Sequence, residues 1–408
     1  MSTSDAVQEA IPVPEPELTP AEIVTRAAAM KATLREAQDE SERRGRCSEE
    51  IHRQFLRNGF YRITQPRLFG GYEFDLTTFW KVVMNVAAGD PGVGWYLALA
   101  SHHALVLGSA FGERAQREIF GPEGDFRSGH RPAPMGKAVP VDGGYVVNGT
   151  WDYCSGTPYA THIMVNAMVD GKSLIFTVPM GEHAVVLDDW GDGSLLGMQS
   201  SGSNSVKVTD AFVPGHWIAD WGAMREPGAT PGTELHGNPM YLGMIRSVYH
   251  AGLVAAITGA ARACLDELEE ILTTKKTHLP PQVPRYTHPD QQRTFGYASA
   301  LAASAEGLVC RVGDLYTEYC ERWARTGQPF STEDDVVLYQ MLQQAGQLAV
   351  RSVEESWALA SSSAAKRGQR IQRYYRDASM YKSHISAQYL NTAGEFAKLH
   401  FGIPATIP

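Results

Sequence analysis

Two adjacent histidines, His102 and His103, lie within a long apolar segment of the chain. Histidine exchanges a proton near neutral pH, so either side chain could serve as an acid or a base in catalysis. On an apolar helix, however, a histidine is more often a structural residue with a buried partner. Adjacent helical residues point about 100° apart, so we expect only one of the two to face a site.

Small hydroxyl residues form the second group with possible chemistry: Ser200, Ser201, Gly202 and Ser203 are consecutive, and Ser155 precedes Gly156. Hydroxyls and free backbone amides bind phosphates and polar ring edges. A solvated loop and an ordinary Ser-Gly turn have the same composition. The residues alone therefore leave both interpretations open.

Several catalytic motifs are absent. The glycine clusters at 89–94 and 191–197 lack the GxGxxG spacing, and MGKA at 135–138 lacks the upstream glycine of a phosphate-binding loop. The chain also has no HExxH, no GxSxG and no carboxylate–histidine pattern of a di-iron site. These gaps disfavour a Rossmann nicotinamide pocket, phosphate transfer, metal catalysis and a serine nucleophile.

The net charge of −9, without a run of Lys or Arg, argues against nucleic acid as a partner and favours a small molecule. The five cysteines are odd in number and widely spaced, which disfavours a disulfide framework or a zinc site. The first residues do not resemble a signal peptide, and no stretch of eighteen apolar residues occurs. We therefore expect a cytoplasmic protein without a membrane partner.

The pattern of elements divides the chain into four parts. Residues 1–20 predict a disordered tail, with a helix beginning after Thr19, and 21–126 predict a helical domain. Short β-rich runs, with hairpin signals at Asp142-Gly143 and Asp170-Gly171, predict an antiparallel β domain over 127–235. Residues 236–408 predict a helical bundle with long helices near 243–273, 291–325, 333–366 and 376–399. A crevice between such parts suits a planar cofactor.

Three stretches carry a family resemblance: DGGYVVNGTWDYCSG (142–156), LLGMQSSGSNSVKVTDAFVP (195–214) and RYYRDASMYKSH (373–384). In this order they resemble the acyl-CoA dehydrogenase superfamily, and more closely its two-component flavin-dependent monooxygenase branch. That branch includes the oxygenase components that act on hydroxyphenylacetate and on secosteroid phenols. The resemblance implies a mainly α fold with an N-terminal helical domain, a central β domain and a C-terminal four-helix bundle.

The chain departs from the dehydrogenases of that superfamily at the catalytic base. Removing the α-proton of an acyl-CoA thioester needs a positioned carboxylate. One family position lies about eight residues past the Arg-Asp pair, where this chain has His384-Ile385, and the other lies in residues 242–265, which contain no Asp or Glu. We therefore do not expect acyl-CoA desaturation.

The monooxygenase branch implies a different reaction. Its members take reduced flavin from a separate NAD(P)H:flavin reductase, form a flavin C4a-hydroperoxide with O2 and hydroxylate an aromatic, usually phenolic, small molecule. The resemblance thus implies reduced FMN or FADH2 as the cofactor, with FMN preferred because the dinucleotide-contacting motif is blurred. It also implies a homotetramer.

The resemblance assigns roles to particular residues of this chain. Ser155, with Trp151 and Tyr153 before it, occupies the flavin-facing strand, and the serine-rich turn is a second cofactor contact. His384 and one histidine of the helical pair, for which we prefer His103 over His102, match catalytic and substrate-binding positions. Ser128 matches a further hydroxyl of the substrate pocket.

Three alternatives remain at this point. The first is N-oxygenation of an amine or amino sugar, as in the nitrososynthases of the same branch. The second is an inactive homologue retained as a binding protein, which predicts no affinity for flavin. The third is dehydrogenase activity through a base elsewhere in the chain.

Overall fold

The computed structural model describes residues 10–191, 193–225, 229–242, 246–328 and 330–404. The first part of the chain is helical, as expected. Thr19 caps the first helix by accepting a hydrogen bond from the Glu22 amide, and the Glu22 carboxylate accepts one from the Thr19 backbone amide. The helices are α1 (Pro20–Ala29), α2 (Lys31–Arg44), α3 (Glu49–Arg57), α4 (Leu76–Ala87), α5 (Pro91–Ala110) and α6 (Glu113–Phe120).

Residues 10–19 do not behave as the loose tail that we predicted. Ile11 forms a β-bridge with Phe69, and Leu18 is buried. Glu15 forms an ion pair of 2.7 Å with Arg26 on α1. The proline-rich composition led to the prediction of disorder, but these tertiary contacts hold the segment against the helical domain. Residues 1–9 lie outside the described part of the chain.

The β domain is a seven-stranded sheet with the order β5-β6-β2-β1-β3-β4-β7. Both hairpin predictions are confirmed, because Val141 pairs with Gly144 and Val169 pairs with Lys172 across the two Asp-Gly turns. The strands are β1 (Ser128–Val141), β2 (Gly144–Trp151), β3 (His162–Val169), β4 (Lys172–Pro179), β5 (Ala184–Val186), β6 (Val206–Pro214) and β7 (Ile218–Asp220).

The sheet is mixed rather than purely antiparallel, which corrects our prediction. Residues 128–131 of β1 pair in parallel with β3, whereas residues 137–141 pair antiparallel with β2. The register of the β1–β3 pairing shifts between Arg131 and Gly136, which still pairs with Ala167, and the pairing with β2 begins at Lys137. The long connection from β2 to β3 makes the parallel pairing possible.

After a short helix α7 (Pro231–His236), the C-terminal part contains α8 (Arg246–Thr274), α9 (Pro289–Thr326), α10 (Thr332–Ala360), α11 (Arg370–Ser383) and α12 (Tyr389–His400). The last predicted helix is divided in two. His384 has an extended backbone, and its side chain accepts a hydrogen bond from the Ser386 amide to cap a short 3-10 helix, Ile385–Ala387. The break brings His384 to the end of α11.

The central helix of the bundle is α8. Its segment Ser247–Thr274 is long and apolar enough to cross a membrane, but 78% of its most apolar window is buried inside the protein. It packs against α4, α5, α9, α10 and α11. These contacts account for its apolar composition, because a core helix must be apolar on every face that it buries.

Candidate active site

Ser155 lies where the helical domain meets the β domain. Its Oγ accepts a hydrogen bond of 3.1 Å from the indole nitrogen of Trp95 on α5. It also lies 2.6 Å from Ser203 Oγ, and Ser203 Oγ lies 2.8 Å from Ser201 Oγ. A hydroxyl chain can orient its protons in either direction. Ser155 therefore keeps a hydroxyl available in a site that is almost closed to water, since it is 7% exposed.

The serine-rich turn is buried, so it is not a solvated loop. Ser200 donates a hydrogen bond of 2.6 Å to Asp90, whose other contact caps α5 at the Val93 amide. Burial raises the pKa of Asp90 to about 6, although the bond from Ser200 opposes this shift. Gly202 has φ of 58°, and a side chain there would collide with Pro158. These contacts anchor the turn to the N-terminus of α5.

His384 approaches the same place from the bundle. Its ring meets the Trp95 indole edge-on at 5.2 Å between centroids, so Trp95 contacts both His384 and Ser155. Burial, helped by the charge of Arg131, lowers the pKa of His384 to about 4. The neutral ring accepts the Ser386 N–H at Nδ1, which places its proton on Nε2. His384 therefore presents a hydrogen-bond donor.

His103 presents a hydrogen-bond acceptor, whereas His384 presents a donor. Its Nδ1 lies 2.6 Å from the carbonyl oxygen of Ser128, and a carbonyl only accepts, so Nδ1 carries the proton. Burial lowers its pKa to about 4. Its Nε2 is buried and has no hydrogen-bond partner within the described part of the chain. His103 thus offers a neutral, unpaired acceptor.

Two further predicted site residues, His102 and Ser128, contribute less directly to the site. His102 stacks on Phe79 of α4 at 6.1 Å, and burial lowers its pKa to about 3. Its Nε2 is also buried without a partner among the described residues, and its ring lies 6.2 Å from Tyr249. The Ser128 hydroxyl donates to the Gly129 carbonyl at 2.7 Å and is fully buried. The structure therefore gives Ser128 a role through its carbonyl, which orients His103.

Three residues that the sequence did not single out complete this cluster: His130, Asn166 and Tyr249. The His130 ring lies 5.5 Å from His103 and 5.6 Å from Tyr249 on α8. Its position two residues after Ser128 was the available signal, because alternate residues of a strand share a face. Tyr249 carried no comparable signal, since only the fold brings α8 to β1.

Trp151 and Tyr153 do not join these residues. Trp151 is completely buried in the β core, where its indole donates a hydrogen bond of 3.0 Å to the Asn166 carbonyl. Gly136 leaves the space for its ring. Tyr153 is 60% exposed beside Trp190 and Arg131. Of the predicted flavin-facing strand, only Ser155 reaches the site.

The Arg-Asp pair in the middle of α11 has a structural role. Asp377 is buried and accepts a hydrogen bond of 2.6 Å from the Met198 amide, and burial raises its pKa to about 7. The first carboxylate of α8, Asp266, forms an ion pair with Lys31 of α2. Both carboxylates are thus engaged in structural contacts, and the two positions of the family's base hold no acid in this sequence.

The donor set around Ser155 fits a flavin. A buried hydroxyl, a serine-rich turn and the donor of His384 can bind the polar edge of a flavin ring, and a planar ring needs such a site between domains.

Two family models match the chain: the N-terminal domain of acyl-CoA dehydrogenase over residues 22–123 and the C-terminal domain over 251–389. The chain belongs to the acyl-CoA dehydrogenase superfamily.

Within the superfamily, the chain falls in the flavin-dependent monooxygenase branch. It is 27% identical over 388 residues to the oxygenase subunit HsaA of a flavin-dependent monooxygenase from Rhodococcus jostii, covering 93% of this chain and 98% of that one. A crystal structure of 3-HSA hydroxylase from Rhodococcus matches with a TM-score of 0.85 and 26% identity, over 95% of this chain and 98% of that one.

A third similarity extends the fold comparison to a flavin complex. XiaF from Streptomyces, solved with FADH2 and glycerol, matches with a TM-score of 0.85 and 21% identity over 95% of this chain and 97% of that one. The predicted acyl-CoA dehydrogenase fold and the predicted branch are both confirmed by these matches.

Proposed function

We propose that the chain is the oxygenase component of a two-component monooxygenase that uses reduced flavin and O2 to hydroxylate an aromatic, phenolic small molecule. One observation carries the proposal for a phenol: the Nε2 of His103 is a buried, neutral acceptor without a partner among the described residues, in a ring that the Ser128 carbonyl holds in one tautomer beside His130. An isolated acceptor in an apolar site is costly unless a ligand satisfies it.

His103 prepares the substrate in this proposal. A phenol hydroxyl that donates to His103 Nε2 shifts electron density into its ring, which favours attack on an electrophilic oxygen. The Ser128 carbonyl holds the histidine in the required tautomer through the 2.6 Å bond to Nδ1. Ser128 is therefore a positioning residue.

Ser155 and His384 act on the cofactor side of the site. When bound, reduced flavin supplies the activation of oxygen. The Ser155 hydroxyl would bind the central part of the flavin ring, supported by Trp95 and Ser203. The Nε2 proton of His384 would stabilise the oxygen that leaves during transfer. Exclusion of water protects the reaction from wasteful release of hydrogen peroxide.

The cofactor site that we propose consists of Ser155 and the turn of Ser201, Gly202 and Ser203. Ser200 supports the turn through Asp90. Reduced FMN and FADH2 both fit this donor set, because the donors would bind the flavin ring that the two cofactors share. FMN stays our preference.

The relative's name as an oxygenase subunit supports a separate NAD(P)H:flavin reductase as a partner. We further propose a homotetramer, which sedimentation analysis would test. The cytoplasm is the compartment that we propose, because the five cysteines, all within the described residues, are free thiols that a reducing environment preserves.

The decisive experiment supplies the purified protein with reduced FMN or FADH2, 18O2 and a panel of phenols. A phenol product that mass spectrometry shows to carry one additional 18O atom, bonded to carbon, would support the proposal. Oxygen at nitrogen of an amine substrate would favour the N-oxygenase alternative instead. Reduction of an electron-acceptor dye by an acyl-CoA would point to a dehydrogenase, and absence of any flavin binding would point to an inactive homologue.

A further inference from the structure

A hydrogen-bonded chain leads from the bundle into the β domain beside His103. Tyr249 Oη on α8 lies 2.7 Å from His130 Nδ1 on β1. His130 Nε2 lies 2.7 Å from Asn166 Oδ1 on β3, and the Asn166 amide nitrogen donates to Ser173 Oγ at 2.9 Å. The chain joins three strands and one helix through side chains alone.

The direction of each hydrogen bond follows from the chemistry of Asn166. Its amide oxygen only accepts, so His130 Nε2 must carry the proton of the ring. Burial lowers the pKa of His130 to about 3, and the neutral ring therefore has a bare Nδ1. Tyr249 must donate its hydroxyl proton to that nitrogen. Burial holds the pKa of Tyr249 well above its usual range, so the proton stays in place.

The chain holds Tyr249 in position and does not conduct protons. A relay would need every member to pass a proton onward, and the side-chain amide of Asn166 does not do so. His130 is thus a positioning residue, because it accepts the hydrogen bond that the Tyr249 hydroxyl donates. The Tyr249 Oη is then free only to accept a hydrogen bond from another group.

Tyr249 forms part of the wall around the free nitrogen of His103. The centroids of the two rings are 5.7 Å apart, and the Tyr249 ring also lies 5.4 Å from Trp221. His103 and His130 are buried, whereas Tyr249 is only half-buried. The accessible part of this cluster therefore belongs to Tyr249, and it borders the proposed substrate position.

We propose that Tyr249 selects the substrate, by accepting a hydrogen bond from a second donor group on the phenol that His103 binds. This inference rests on the proposed function and narrows it to phenols with a second hydroxyl or an amino group. His103 and Tyr249 together offer two acceptors and no donor. A carboxylate or carbonyl at the second position finds no donor on Tyr249, whereas a hydroxyl finds a partner.

The test compares matched probes that differ in one donor. Catechol, resorcinol and hydroquinone are each compared with the cresol that carries a methyl group in place of one hydroxyl. The wild-type protein, supplied with reduced FMN, should show a higher kcat/KM for at least one dihydroxybenzene than for its cresol. Tyr249→Phe should reduce that preference by about 10-fold, as expected for one neutral hydrogen bond. The loss should appear as a higher KM for the dihydroxybenzene.

Variants of His130 separate positioning from a purely structural role. In His130→Gln the amide oxygen can still accept from Tyr249, so the preference for a second hydroxyl should be retained. In His130→Leu the Tyr249 hydroxyl regains its proton for other partners, and hydroxybenzoates should become better substrates relative to the dihydroxybenzenes. A loss of packing alone would weaken all probes equally.

Two outcomes would overturn the inference, and they are distinguishable. If the wild-type protein hydroxylates phenols but Tyr249→Phe keeps the same ratio between each dihydroxybenzene and its cresol, Tyr249 does not select the substrate and the proposed function stands. If the wild-type protein incorporates oxygen into none of the phenols, the proposed function fails and this inference fails with it.

Discussion

The indole nitrogen of Trp95 donates a hydrogen bond of 3.1 Å to the hydroxyl oxygen of Ser155, and this bond joins α5 of the helical domain to the loop that follows β2. The same indole meets the ring of His384 edge-on. Trp95 therefore connects two predicted catalytic residues that lie 229 positions apart in the chain. This connection makes the cofactor side of the site a single unit.

We predict that Ser155→Ala increases the share of consumed oxygen released as hydrogen peroxide, because the flavin loses its buried hydroxyl partner. The yield of hydroxylated product per oxygen should fall by about 10-fold, the usual effect of one lost hydrogen bond in a dry site. Peroxide and product are measured together in each assay. Ser352→Ala, which removes a hydroxyl bonded to Ala298 within the bundle, is the matched control.

Trp95→Phe should act through the same path. It keeps an aromatic ring beside His384 but removes the donor to Ser155, so it should also increase peroxide release. Because both residues serve one hydrogen bond, the double variant Trp95→Phe/Ser155→Ala should be no worse than the poorer single variant. Fully additive losses in product yield would show that Trp95 acts independently of Ser155.

The adjacent histidines should differ sharply in their contributions. His103→Gln removes the unpaired Nε2 acceptor, and kcat/KM for a phenol should fall by about 100-fold or more. His102→Gln should cost much less, because that ring stacks on Phe79. Steady-state rates with both variants test the assignment. Equal losses would mean that the assignment of the base to His103 is wrong.

His384 combines a cap with a proposed proton donor, and two substitutions separate these roles. His384→Asn can still accept the Ser386 amide, whereas His384→Ala cannot, so the alanine variant should be less stable by about 1 kcal/mol. Both variants lose the Nε2 proton and should lose hydroxylation to the same extent. Denaturant unfolding and product assays on the pair provide the comparison. If the asparagine variant stays active, His384 acts only as a helix cap and not as a proton donor.

Acid should destabilise the protein through its buried histidines. In the folded state burial lowers the pKa of His102 and His130 to about 3 and that of His103 to about 4, from an ordinary value of 6.5. Between those values the unfolded chain binds more protons, so stability falls as the pH decreases below 6.5 and is constant above about pH 7.5. At pH 5.5 each histidine should cost about 1 kcal/mol.

Thermal unfolding across this pH range measures the effect. His102→Gln should flatten the decline between pH 6.5 and 5, and His278→Gln, a change at an exposed histidine, should leave it unaltered. Buried Asp90 and Asp377, whose pKa values burial raises, oppose the decline equally in the parent and in the variants. A decline in His102→Gln as steep as in the parent would show that His102 is not held neutral in the folded state.

The sequence by itself determined the superfamily, the branch and the missing base. Those properties depend on residue types at set distances along the chain, such as the motif that contains Ser155 and the histidine seven positions after Asp377. It also predicted the two hairpins and the cap of α1, because turns and caps are formed by neighbouring residues. Local chemistry is visible in local sequence.

Only the tertiary structure decided how these residues meet. The parallel pairing of β1 with β3, the burial of Trp151 in the β core and the break at His384 depend on contacts between distant segments. The same is true of the proton positions on His103 and His130, since a ring's tautomer follows from the partner that the fold brings to its other nitrogen. Periodicity shows which face of an element is buried, but it does not show which atom lies opposite.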